Sequence, residues 1–102
     1  MDERLWKRYE ILRSLLLEAR SEIDPNESAG LGGGRLASST EFMEHREFEL
    51  ALDTLQDVGG EYECSVTFWR RLKQAADVMG LDDRRNHLRS RYRNTLKRTG
   101  AA

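Results

Sequence analysis

The chain has 102 residues, 17 Lys and Arg against 18 Asp and Glu, a formal net charge of −1, and 38% hydrophobic residues. That length holds one domain with a small core, and near-neutrality removes the self-repulsion that keeps many chains poor in large aliphatic residues unfolded. No run reaches the about 18 apolar residues that span a bilayer, and Met1-Asp2-Glu3-Arg4 lacks the order of a secretion signal, so a cytoplasmic protein is expected.

Leu outnumbers Val plus Ile by 14 to 5, and Glu and Arg are abundant. Helix propensity therefore dominates, and the expected fold class is all-α: one domain, residues 1–102, with four helices and a long Gly/Ser-rich loop between the first two. The first helix is predicted over about residues 2–23, where Leu5, Tyr9, Leu12, Leu16, Ala19 and Ile23 share a face, and Trp6, Ile11 and Leu15 widen it. Asp24-Pro25 should end it, because the residue before proline leaves the helical region.

Residues 24–40 carry Gly30, Gly32, Gly33, Gly34, Ser38, Ser39 and Thr40, the composition of a flexible connection. The second helix is predicted over about 41–58, with Ser38 and Glu41 as a capping box. Phe48, Ala51, Leu52, Leu55 and Val58 share an arc that excludes Phe42 and Met43. A bend near His45-Arg46 follows, with Gly59-Gly60 as the terminator. The third helix, about 66–79, has Ser65 as N-cap and Gly80 at its C-terminal end. Phe68, Trp69, Leu72, Ala75, Ala76 and Met79 form its face, with core packing the default for Phe68 and Trp69 and partial exposure of one of them, as an interface anchor, the alternative. The fourth, about 83–97, has Asp82 as N-cap and a seam of Leu88, Tyr92 and Leu96 that could close a homodimer.

Charge is graded along the chain: residues 1–63 carry −8, 64–81 carry +2 and 82–102 carry +5. Glu49, Asp53 and Asp57 recur every four residues, opposite the apolar arc. With Glu47, Glu61 and Glu63 they form a candidate partner-binding surface for something basic. The alternative is a basic surface of Arg84, Arg85, Arg89, Arg91, Arg93 and Arg98 for phosphate contact. The small total charge and the acids on the same molecule disfavour nucleic acid, and a simpler reading has these arginines covering core edges and pairing with the acidic helix.

Other constellations are weak. Glu41, His45 and Glu49 have i, i+4, i+8 spacing, but the phase break argues against a continuous helix, so no metal is expected. Gly30 to Arg35 lacks the Lys-Ser/Thr ending of a phosphate loop. Cys64, the single cysteine, sits beside Glu61 and Glu63, which would raise a thiol pKa, and no catalytic residue and no cofactor is expected.

The block from Phe42 to Leu55, Phe-Met-Glu-His-Arg-Glu-Phe-Glu-Leu-Ala-Leu-Asp-Thr-Leu, is followed by Phe68-Trp69, Leu72, Ala75-Ala76 and Met79-Gly80-Leu81-Asp82. Over residues 41–82 it resembles small bacterial immunity proteins of the MafI type, which share a Leu-Ala-Leu helix and a following helix ending in Met-Gly-Leu-Asp. The glycine-rich stretch and arginine-rich tail depart from that pattern. The resemblance implies a non-catalytic protein that binds and neutralises a cognate toxin, commonly a nuclease domain. Glu47, Glu49 and Asp53 match the family's helix, and their role in binding is inferred from charge.

Overall fold

The computed structural model describes residues 3–23, 33–61 and 63–100. Among them are five helices and no strand: α1 Glu3–Ser21, α2 Gly33–Glu44, α3 Phe48–Glu61, α4 Val66–Met79 and α5 Asp82–Thr99. The all-α class holds, and the expectation of four helices is corrected to five. The additional helix, α2, occupies the second half of the stretch expected to be a loop, while Asp24-Pro25 and residues 26–32 lie outside the described residues. Its cause is visible at Leu36, Ser39 and Met43, which recur at helical spacing and are all buried. The hydroxyls that suggested a loop are absorbed by the helix: Ser39 Oγ donates to the Leu36 carbonyl at 2.7 Å, and Thr40 Oγ1 reaches the same oxygen at 3.3 Å. Ser38 is thus mid-helix, not an N-cap.

The bend expected near His45-Arg46 is a complete break. Arg46 takes a positive φ of 59°, its N–H donates to the Met43 carbonyl at 3.1 Å, and the Glu47 N–H donates to the Phe42 carbonyl at 2.8 Å. This pair of bonds is a Schellman closure, with arginine where glycine is usual. Placing Phe42 and Met43 on one helix and Phe48 to Val58 on another resolves their phase conflict.

Gly59 and Gly60 do not end α3, which continues to Glu61. Gly59 is buried, and a Cβ there would stand 2.8 Å from Phe68 Cζ and 3.0 Å from Trp69 Cη2. The glycine is required by the approach of the aromatic pair. Phe68 and Trp69 meet edge to face, centroids 4.9 Å apart, and both are buried, as core packing of the pair requires.

α4 is the central element and touches α1, α3 and α5, while α2 packs chiefly on α3. Ser65 Oγ accepts from the Phe68 N–H at 3.2 Å and caps α4 as expected. At its other end Gly80 has φ 73° and Leu81 N–H closes on the Ala76 carbonyl at 2.9 Å. Asp82 is not the cap of α5: Leu81 holds that position and makes no side-chain cap bond. The seam of Leu88, Tyr92 and Leu96 turns toward the core. Leu88 is fully buried, Tyr92 packs against the core and Leu96 is half-buried. Among the described residues no helix is long and apolar enough to cross a membrane.

Candidate functional site

The face of α3 turned away from the core holds Glu49, Leu50, Asp53 and Asp57, because the apolar arc from Phe48 to Val58 fixes the helix phase. α5 takes over one edge of it. Arg84 donates Nε to Asp53 Oδ1 at 2.7 Å and Nη2 to Asp53 Oδ2 at 3.0 Å, and Nη2 lies 2.9 Å from Glu49 Oε1. The hydrogen bonds to Asp53, helped by the Asp53 and Glu49 charges and opposed by desolvation, hold the Arg84 guanidinium above its ordinary pKa. Glu61 pairs with Arg35 of α2, and Glu63 with Arg98 of α5 at 3.5 Å. Glu47 and Asp57 are exposed, and neither forms an ion pair among the described residues. Of the six predicted acids, four are thus held by arginines and two face outward unpaired.

The six arginines of the alternative surface are divided in the same way. Arg84 and Arg98 are paired with the acids just named. Arg85 Nη1 lies 3.3 Å from Asp77 Oδ1 and 3.5 Å from Asp82 Oδ1. Arg91 covers the Trp69 ring at 5.0 Å. Arg89 and Arg93 make no such contact among the described residues. The sequence grouped these six together, but the fold sends them to different faces.

An apolar groove missed in the sequence opens beside the acidic stripe. It measures about 490 Å³ and is lined by residues from α1, α3 and the α4 end, among them Leu5, Leu12, Phe48, Leu50, Met79 and Leu81. Leu50 stands 49% exposed at its edge and Leu5 42% exposed, although Leu5 was expected on the core face. Two rim guanidiniums are engaged: Arg8 Nη2 donates to the Val78 carbonyl at 2.6 Å, and Arg46 lies over Trp6 at 4.6 Å and Tyr9 at 5.2 Å. The signal for Leu50 was present in the helical wheel, which sets it roughly opposite the arc of Phe48, Leu52 and Leu55.

The helix break separates Glu41 and His45 from Glu49, and among the described residues no three His, Cys, Asp or Glu side chains converge as a metal site. Cys64 is buried in the core. Comparison with protein-family models, with curated proteins and with solved structures returns no match for this chain.

Proposed function

We propose that this chain is a non-catalytic immunity protein of the kind its residues 41–82 resemble, which neutralises a basic, nuclease-type toxin by covering it with the outer face of α3. The observation that carries this reading is Leu50, a large aliphatic side chain half in solvent among acids and beside an apolar groove. Protein interfaces are built around such a desolvated anchor with a charged rim. Glu47 and Asp57 are the acids available to a partner's cations, and Arg84 holds Glu49 and Asp53 fixed at the edge, which lowers the entropy lost on docking.

The test is co-expression with the product of a neighbouring reading frame that is toxic when expressed alone. Protection by this protein supports the immunity class. The triple variant Glu47→Lys, Leu50→Glu, Asp57→Lys spares the Arg84 contacts and should lose protection and binding with its helix content unchanged. Full protection by the variant would remove the α3 face from the interface, and the absence of protection by the unaltered protein would overturn the class.

A further inference from the structure

We propose that the outer seam between α4 and α5 binds the phosphate backbone of nucleic acid, through Arg70 and Lys73 of α4 and Arg89, Arg93 and Lys97 of α5. This surface is distinct from the α3 face and does not rest on the function proposed for it. At about 100° per residue, Arg89, Arg93 and Lys97 lie about 140° to 180° around α5 from Arg84, the arginine that reaches α3. They follow one another at i, i+4 and i+8, about 6 Å apart along the helix.

Three observations separate this seam from the rest of the surface. First, Arg70, Arg89, Arg93 and Lys97 form no ion pair among the described residues, and Lys73 is turned onto the Tyr92 ring at 5.6 Å. Second, acids are sparse on these two helices: the chain has none after Asp83, and Asp77, the one acid of α4, is paired with Arg85 at 3.3 Å. Third, the large apolar side chains left exposed, Leu5, Trp6, Ile11, Leu17 and Leu50, all belong to α1 and α3. A basic surface without an apolar anchor suits a polyphosphate, whose affinity comes from charge and counterion release, better than a protein, whose interface needs a desolvated centre. The exposed side chain of Asn86, about 20° around α5 from Arg93, adds a hydrogen-bond donor on the same face. The acids that argued against nucleic acid in the sequence lie on α3 and at its two ends, where Arg84 and Arg98 offset part of their field.

The test is fluorescence anisotropy of the full chain with a labelled mixed-sequence DNA duplex of about 20 base pairs, titrated across salt. With about four phosphates neutralised, log K should fall with log salt at a slope of about −3.6, a loss of roughly 150-fold between about 50 and 200 mM. Arg89→Glu with Arg93→Glu should weaken binding at least about tenfold and flatten the slope by about 2, whereas Glu47→Lys with Asp57→Lys should leave the seam's contribution in place. If charge reversal lowers the helical circular dichroism, Arg89→Gln with Arg93→Gln replaces it, with the same change in slope expected. No binding at about 50 mM salt, or a slope unchanged in the seam variants, overturns the proposal. Competition by polyglutamate as effective as by unlabelled duplex would also overturn it, and would assign the seam to an acidic protein instead.

Discussion

Arg84 grips Asp53 with two parallel hydrogen bonds, Nε to Oδ1 at 2.7 Å and Nη2 to Oδ2 at 3.0 Å, and so ties α5 to α3. Among the described residues the backbones of the two helices do not approach each other directly, and both pack on α4. Because the Arg84 side chain is 35% and that of Asp53 40% exposed, solvent screens the pair, and Arg84→Ala should cost about 0.5 to 1 kcal/mol, including the repulsion it uncovers between Glu49 and Asp53. A double-mutant cycle with Asp53→Asn by urea denaturation should return a coupling of that order. The pH sign follows from the raised guanidinium pKa: the contribution is complete below arginine's ordinary value and is lost only as pH rises through the higher folded one. The stability difference between the wild type and Arg84→Ala should therefore be the same at about pH 7 and about pH 10.

Gly59 and Gly60 are adjacent in α3 and should respond oppositely to alanine. A Cβ at Gly59 meets the Phe68 and Trp69 rings, which are locked edge to face in the core, so Gly59→Ala should destabilise by about 1 to 3 kcal/mol through overpacking. At Gly60 a Cβ meets only Arg91 Nη2 at 3.3 Å, the free end of a long side chain. Gly60→Ala should therefore be neutral or stabilise by up to about 1 kcal/mol, the helix-propensity gain. Equal loss at both positions in chemical denaturation would contradict this account of why Gly59 is glycine.

The same glycines show which parts of the fold were legible. α4 was read to the residue because its cap, its apolar face and its terminating glycine all agree locally: Ser65, Phe68 to Met79, Gly80. α2 was not, because Gly33 and Gly34 and the run Ser38 to Thr40 have loop composition, and only burial of Leu36, Ser39 and Met43 against the rest of the chain overrides it. Gly59-Gly60 looked like a stop for an equally local reason, while the aromatic pair that needs Gly59 comes from the next helix. At the candidate site the acids were legible from their four-residue spacing. Their division into paired and unpaired was not, since it depends on where α5 lies, and neither was the groove, whose walls come from three helices.

Arg46 combines an unfavourable backbone with a favourable side chain. Its φ of 59° costs a β-carbon residue about 1 kcal/mol, and its guanidinium over Trp6 and Tyr9 returns a comparable amount. Arg46→Ala keeps the strain and loses the rings, whereas Arg46→Gly loses both. The alanine variant should therefore be less stable than the glycine variant by about 1 kcal/mol, with the glycine variant within about 0.5 kcal/mol of wild type. Trp6 fluorescence should shift alike in both, since the stacked cation is gone from each.

Ser65 joins two helices through one hydroxyl: Oγ accepts from the Phe68 N–H at 3.2 Å and donates to Glu22 Oε1 at 2.9 Å, just past the end of α1. Ser65→Ala should cost about 1 kcal/mol, the usual value of an N-cap. Ser65→Asp keeps an oxygen acceptor for the Phe68 N–H and suits the positive end of α4, but it has no hydroxyl to donate and sets a carboxylate against Glu22. Aspartate should therefore fall between alanine and wild type in the parent chain and recover to near wild type when Glu22→Gln supplies an amide donor. Thermal unfolding of the four proteins separates the cap from the inter-helix bond. If aspartate matches wild type with Glu22 intact, the Ser65–Glu22 bond contributes nothing, and the cap alone accounts for serine at this position.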